Sequence, residues 1–330
     1  MEKIRIGILG YGNLGKGVEQ CISQFGDMEL VAVFTRREAF KSLSGVKVEN
    51  VSALESYKDK IDVLLLCGGS ATDLPEQAPY AISHFNIVDS FDTHEIIPEY
   101  FNNINALGVK HNNLGLVATG WDPGVFSLAR VLFLSVLPKA SEYTFWGDGV
   151  SQGHSDALRR IEGVKDAVQY TLPKKAALDA VRQGKAPQFK TSEKHLRRCF
   201  IVLEKDCAKL KKEVENTVIN MPAYFKDNDV EINFVSQQVL DAEHKALPHG
   251  GFVLASDKRE IAGGGEVNQI MELSLKLDSN PEFTASVMLA YARAVHRLRK
   301  EGKVGALSVF DVAFGYLSEK TAEELRATML

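Results

Sequence analysis

The residues best placed to do chemistry begin with Gly10-Tyr11-Gly12-Asn13-Leu14-Gly15, set between an apolar run and an amphipathic stretch. In that context a Gly-x-Gly-x-x-Gly turn binds a dinucleotide. Gly10 permits the tight turn, Gly12 lets the backbone approach a pyrophosphate, and Gly15 permits close helix packing. The helix N-terminus then faces the negative charge. The next strand selects the cofactor. An NAD site ends it with Asp or Glu, whereas here Val31-Ala32-Val33-Phe34 runs into Thr35-Arg36-Arg37. A hydroxyl and two guanidiniums suit a 2′-phosphate, which takes bidentate, charge-assisted bonds. The plain alternative is a pair of solvated surface arginines. NADP is therefore the expected cofactor. Cys67-Gly68-Gly69-Ser70 ends a later apolar strand, and its small residues leave room for the nicotinamide side.

Two loops carry acids toward the same crevice: Asp89-Ser90-Phe91-Asp92-Thr93-His94 and Thr119-Gly120-Trp121-Asp122-Pro123-Gly124. Ser90, Phe91 and Asp92 are expected along the cofactor. A carboxylate at Asp92 or Asp122 could hold an ammonium group. On pattern alone Asp122 reads equally well as an Asx turn or a helix cap. Arg197 lies in the basic run Lys194-His195-Leu196-Arg197-Arg198, and such runs are usually solvated faces. His249 could be a turn histidine before Gly-Gly, and Asn280 could cap the last long helix.

These residues need a scaffold. Apolar runs at Ile4 to Leu9, Leu30 to Phe34, Ile61 to Leu66, Asn86 to Val88 and Leu114 to Thr119 alternate with helical patterns. That order means a Rossmann-type doubly wound α/β parallel sheet. After Gly124 the character changes. Strand candidates follow at Glu142 to Trp146, Cys199 to Glu204, Asp229 to Val235, Gly250 to Ala255 and the alternating Glu266 to Leu277. They make an α+β domain with a mixed or antiparallel sheet. Pro281 to Lys300 reads as a helix returning to the first domain. The expected division is 1–121 completed by 281–330 for the dinucleotide, and 122–280 for substrate and dimerisation.

Composition excludes other classes. The 330 residues are 45% hydrophobic and 25% charged, with a formal charge of −4. No basic excess exists to neutralise nucleic-acid phosphates, and no run of about 20 apolar residues could span a membrane. The N-terminal residues run straight into a strand pattern, without a signal-peptide profile, so a cytoplasmic protein is expected. The four cysteines Cys21, Cys67, Cys199 and Cys207 form no metal-binding spacing, and no metal is expected.

The string Phe145-Trp146-Gly147-Asp148-Gly149-Val150-Ser151-Gln152-Gly153-His154-Ser155-Asp156-Ala157-Leu158-Arg159-Arg160-Ile161 resembles the meso-diaminopimelate dehydrogenase family. So do Gly10 to Gly15, Thr119 to Gly124, Ala167 to Pro173, Pro248-His249-Gly250-Gly251 and Leu277 to Pro281. The resemblance runs nearly end to end. It implies an NADP-dependent homodimer that converts the D-centre of meso-2,6-diaminopimelate, reversibly, to L-2-amino-6-oxopimelate and ammonia, a lysine-biosynthetic reaction. Carried over by motif, Asp92, Asp122 and Trp121 surround the reacting amine. Trp146, Gln152 and Gly153 line the chain and carboxylates, and Thr171, Arg197, His249 and Asn280 hold the distal L-end. Asp148 departs from the proline of relatives, which concerns the stiffness of its loop. The substrate carries two carboxylates and two ammoniums, so cations and acids are both required, and these residues supply both. His154 and Asp156 could be a base pair for catalysis, but a role in ordering their loop is the expectation.

Other readings remain. One is another NADP-dependent dehydrogenase of amino-acid pathways, or a D-amino-acid dehydrogenase of broader specificity. The His-His-x-x-Lys run of dihydrodipicolinate reductase is absent, and Cys199 in an apolar strand is a poor aspartate-semialdehyde dehydrogenase nucleophile. A non-enzymatic NADP sensor would need no acids at Asp92 and Asp122.

Overall fold

The computed structural model describes residues 3–330 apart from 39, 186 and 223. The chain divides into two compact units, Met1–Leu128 with Pro281–Leu330, and Ala129–Asn280.

The first unit is built on β1 (Ile4–Leu9), β2 (Met28–Thr35), β3 (Val48–Asn50), β4 (Val63–Leu66), β5 (Ile87–Asp89) and β6 (Leu114–Leu116), with a last strand at Gly305–Leu307. These seven strands form one parallel sheet in the order Gly305–Leu307, β6, β5, β4, β1, β2, β3. The continuous run of β4 is wholly buried, as a strand covered on both faces must be. Successive side chains supply opposite cores. Ile6, Ile8, Val63 and Leu65 enter one, while Leu9, Leu64 and Leu66 enter the other. The helix Asn280–Lys300 places Ala285, Met288, Leu289, Ala292 and Val295 in the first of these cores. Their helical spacing gives one apolar stripe. Arg293 on the same helix is 2% exposed and takes both oxygens of Asp27 at 2.6 Å. Neighbours of β1 diverge in chain order, β2 on one side and β4 on the other. Open α/β sheets bind ligands beyond the strand ends at such a reversal.

The second unit holds β7 (Ser141–Trp146), β8 (Gly149–Val150), β9 (Val164–Pro173), β10 (His195–Leu203), β11 (Asp229–Phe234), β12 (His249–Glu260) and β13 (Glu266–Leu277). They form two sheets, β11-β10-β9-β8 and β13-β12-β7. The second is antiparallel throughout. The first is mixed, because β10 pairs with β9 antiparallel but with β11 parallel. Among the described residues no helix is long and apolar enough to cross a membrane.

Candidate active site

In the first unit the chain leaves β1 through Gly10, whose φ of 97° favours glycine. Gly15 sits so close that a Cβ there would lie 2.2 Å from the Gly10 carbonyl oxygen. A Cβ at Gly12 would meet nothing within 4 Å, so the turn presents bare backbone to open space at the N-terminus of the helix Asn13–Cys21. A cleft of about 250 Å³ runs from here. It gathers Gly10, Tyr11, Gly12, Thr35, Arg36, Arg37, Cys67, Gly68 and Gly69, so the glycine turn, the arginine pair and the small-residue loop share one space. Burial pushes the Cys67 thiol up to about 12, which makes it a neutral wall rather than a nucleophile.

Two polar residues of this cleft escaped the reading of the sequence. Asp73 pairs with the Arg36 guanidinium at 2.5 Å and accepts the Gly69 N–H at 2.9 Å. Gln77 has its side-chain oxygen buried without a donor among the described residues. Neither carries a motif signal, since both lie on or just before the ordinary helix Leu74–Ile82. An orphaned acceptor, bare glycine backbone and exposed guanidiniums in one cleft fit a phosphorylated dinucleotide.

Beyond β4 to β6, three loops are pinned together. Ser70 accepts from the Asp92 and Thr93 amides at 2.9 and 3.2 Å and bonds the Thr93 hydroxyl at 3.0 Å. Asp89, fully buried, accepts from Phe91 N at 3.0 Å, Ala118 N at 2.9 Å and the Tyr100 hydroxyl at 2.7 Å. Ser70 and Asp89 thus fix the backbone that bears Ser90, Asp92, Trp121 and Asp122. Burial pushes the Asp89 carboxyl up to about 6, against the lowering effect of its hydrogen bonds. Asp92 is exposed and Asp122 half-buried. Trp121 packs edge-on against Phe126, with ring centroids 5.1 Å apart. The Phe91 ring is buried and stacked on Tyr100 at 3.9 Å, which leaves only its backbone for a ligand. The Tyr11 ring is likewise buried.

In the second unit a row of paired residues crosses the mixed sheet: Gly149 opposite Thr171, and Thr171 opposite Arg197. His249 closes the row, because a Cβ on Gly149 would lie 2.6 Å from the His249 Cα; only glycine permits that approach. Asn280 is tied nearby through its N–H to the Leu247 carbonyl at 3.0 Å. Arg197 donates to the Thr171 hydroxyl and to Asn228 Oδ1. Burial lowers its pKa, with a smaller opposing effect from Cys199. Trp146 is held by His195, which accepts its N–H at 2.9 Å and stacks on its ring at 5.7 Å. Burial, then the nearby Arg197, lowers His195 to about 3 and His154 to about 4, so both remain neutral around Arg197. His154 bonds Ser151 Oγ at 2.8 Å, while Asp156 pairs with Arg159. The two therefore do not form a catalytic couple. Gln152 and Gly153 are exposed at the start of the helix Gln152–Arg159. His195 was missed because it read as part of a solvated basic run.

A family model described as the diaminopimelic acid dehydrogenase C-terminal domain matches residues 120–279. The chain is 53% identical over 332 residues to the meso-diaminopimelate D-dehydrogenase of Ureibacillus thermosphaericus, covering 100% of both. It superposes on a C. glutamicum DAP dehydrogenase in complex with DAP at a TM-score of 0.91, with 43% identity and 100% of both chains covered. An engineered D-amino acid dehydrogenase bound to NADP+ matches at a TM-score of 0.85 and 42% identity, over 99% of this chain and 100% of that one. The chain belongs to the meso-diaminopimelate D-dehydrogenase family.

Proposed function

We propose that this protein oxidises the D-configured amine carbon of meso-2,6-diaminopimelate with NADP+, reversibly, giving L-2-amino-6-oxopimelate and ammonia. The observation that carries the reading beyond family membership is Arg197. A half-buried guanidinium with only neutral hydrogen-bond partners among the described residues is a receptor for a carboxylate brought by a ligand.

In this reading Gly10 to Gly15 hold the pyrophosphate, and Thr35, Arg36 and Arg37 the 2′-phosphate. Cys67 to Ser70, with Ser90, Asp92 and the Phe91 backbone, flank the nicotinamide side. Bound NADP+ supplies the hydride acceptor. Thr171, Arg197, His249 and Asn280 hold the L-end, and Trp146, Gln152 and Gly153 line the chain and carboxylates. With the L-end clamped, only the D-centre hydrogen is oriented for transfer. Trp121, Asp92 and Asp122 surround the reacting ammonium. One of the two acids, Asp92 or Asp122, takes its proton, directly or through water, so that the lone pair can form the imine as the D-centre hydride leaves. Water then adds, and ammonia leaves.

A homodimer and a cytoplasmic location belong to the same reading. The test is NADPH absorbance with meso-diaminopimelate, homoserine or no substrate. Formation of NADPH only with meso-diaminopimelate is expected, and equal rates with homoserine would reject the assignment.

A further inference from the structure

The reaction gives no role to the buried acid Glu19. Glu19, on the helix Asn13–Cys21, is 4% exposed. It accepts from the Tyr11 hydroxyl, the Ser44 hydroxyl, Ser44 N at 2.7 Å and Leu43 N at 3.3 Å. Among the described residues no cation pairs with it. Burial raises its pKa, but the bonds from Ser44 and Tyr11 outweigh that and hold the carboxyl below its usual range. A charged carboxylate persists out of water only where donors replace the solvent.

The origin of those donors is informative. Tyr11 belongs to the glycine turn, and Leu43 and Ser44 belong to the segment that continues from Thr35-Arg36-Arg37. Between Thr35 and Val48 the described chain forms no helix or strand. Phe40 stacks on Tyr11 with centroids 5.0 Å apart, Phe40 and Val46 pack on the core of the first unit, Val33 N donates to the Lys47 carbonyl at 3.0 Å, and the Tyr11 hydroxyl also receives Leu43 N at 3.2 Å; the polar anchors in the middle of the segment, at Leu43 and Ser44, converge on Glu19. The Arg36 side chain is 71% exposed, and Arg37 is exposed too. Long side chains on an irregular backbone bind an anion well only if the backbone is already ordered, because ordering on binding costs affinity.

We propose that Glu19 is a positioning residue for cofactor choice, clamping segment 40–46 to the glycine turn so that Arg36 and Arg37 are preorganised for the 2′-phosphate of NADP. The proposal rests on the reading that those arginines receive that phosphate. A merely structural role would weaken NADP and NAD alike. A positioning role acts on their ratio, since NAD carries no 2′-phosphate.

The test measures dissociation constants of NADP+ and NAD+ by calorimetry on the full-length protein. The variants are Glu19→Gln, Ser44→Ala and, as a control, Arg36→Gln with Arg37→Gln. Glu19→Gln replaces one acceptor oxygen by a donor facing other donors. It should raise the Kd for NADP+ about tenfold and leave that for NAD+ within about twofold. Ser44→Ala alters an exposed residue and keeps the question open to measurement if Glu19→Gln fails to fold. It should shift the ratio the same way by about threefold. If the arginine control loses NADP preference while the Glu19 and Ser44 variants keep the wild-type ratio, the proposal is wrong and the reading of the arginines stands. Equal weakening of both cofactors also overturns it. If the arginine control keeps its preference, the reading of the arginines fails and the proposal falls with it.

Discussion

Arg197 and Asp122 make opposite demands on a substrate, and this separates their roles experimentally. A cation that holds a carboxylate matters only to substrates with a distal carboxylate. Removing it leaves that group poorly paired, at a cost of roughly 2–5 kcal/mol. Arg197→Met and His249→Asn should therefore damage turnover of meso-diaminopimelate severely while sparing D-norleucine, whose far end brings no charge to bury. Asp122→Asn should lower turnover of both, because the reacting amine is common. Steady-state rates on the two substrates decide the matter, and an equal loss on both with Arg197→Met would end this division of labour. Arg197, His249 and Thr171 could be named from the sequence only through long family strings. Each had a plain local reading, and the row that joins them depends on pairing between β8, β9 and β10. His195, Asp73 and Gln77 carried no signal, because their roles consist of contacts with residues distant in the chain.

The elements that were legible are those with a long hydrophobic period. β1, β4 and the helix Asn280–Lys300 follow from apolar runs and helical spacing, and β13 from its alternation. β3, β8 and the last strand are two or three residues long, too short to show any period. β9 opens on Val164-Lys165-Asp166 and buries Gln169, so its polar residues hid a strand at the centre of its sheet. The buried acid at the end of β5 is similar: Asp89 was visible within its loop, but its role as a tether appears only in three dimensions. It has a consequence for pH. Its folded-state pKa of about 6 lies above the ordinary 3.8. Its stabilising contribution is thus complete below about pH 4 and is lost as pH rises through about 6. Asp89→Asn keeps an acceptor for Phe91 N and Ala118 N but cannot ionise. Relative to the wild type it should gain stability between about pH 4 and pH 7, by up to on the order of 3 kcal/mol. Urea unfolding across that range is the check, and a pH-independent difference between the two proteins would contradict the buried, ionising carboxyl.

At the scale of the whole molecule the open question is what covers the apolar surface of the second unit. On the helix Val125–Val136, Val131 is 50%, Leu132 49% and Val136 57% exposed. Soluble monomers scatter such residues singly, and several together mark a contact surface. β13 adds a second indication. It is twelve residues long and pairs with β12 alone among the described strands, which leaves a long sheet edge of the kind that proteins cover or blunt. A second copy of the chain satisfies both features at once, since a two-fold axis presents the same patch to itself. The formal charge of only −4 on 330 residues opposes such self-association weakly. Sedimentation velocity at micromolar concentration should therefore give the mass of a dimer. Leu132→Asp with Val136→Asp would place carboxylates in a desolvated contact, where each costs several kcal/mol unless paired. The double variant should sediment as a monomer while its circular dichroism stays native, because both side chains already face outward. A wild-type monomer, or a double variant that remains dimeric, would show that this helix does not form the contact.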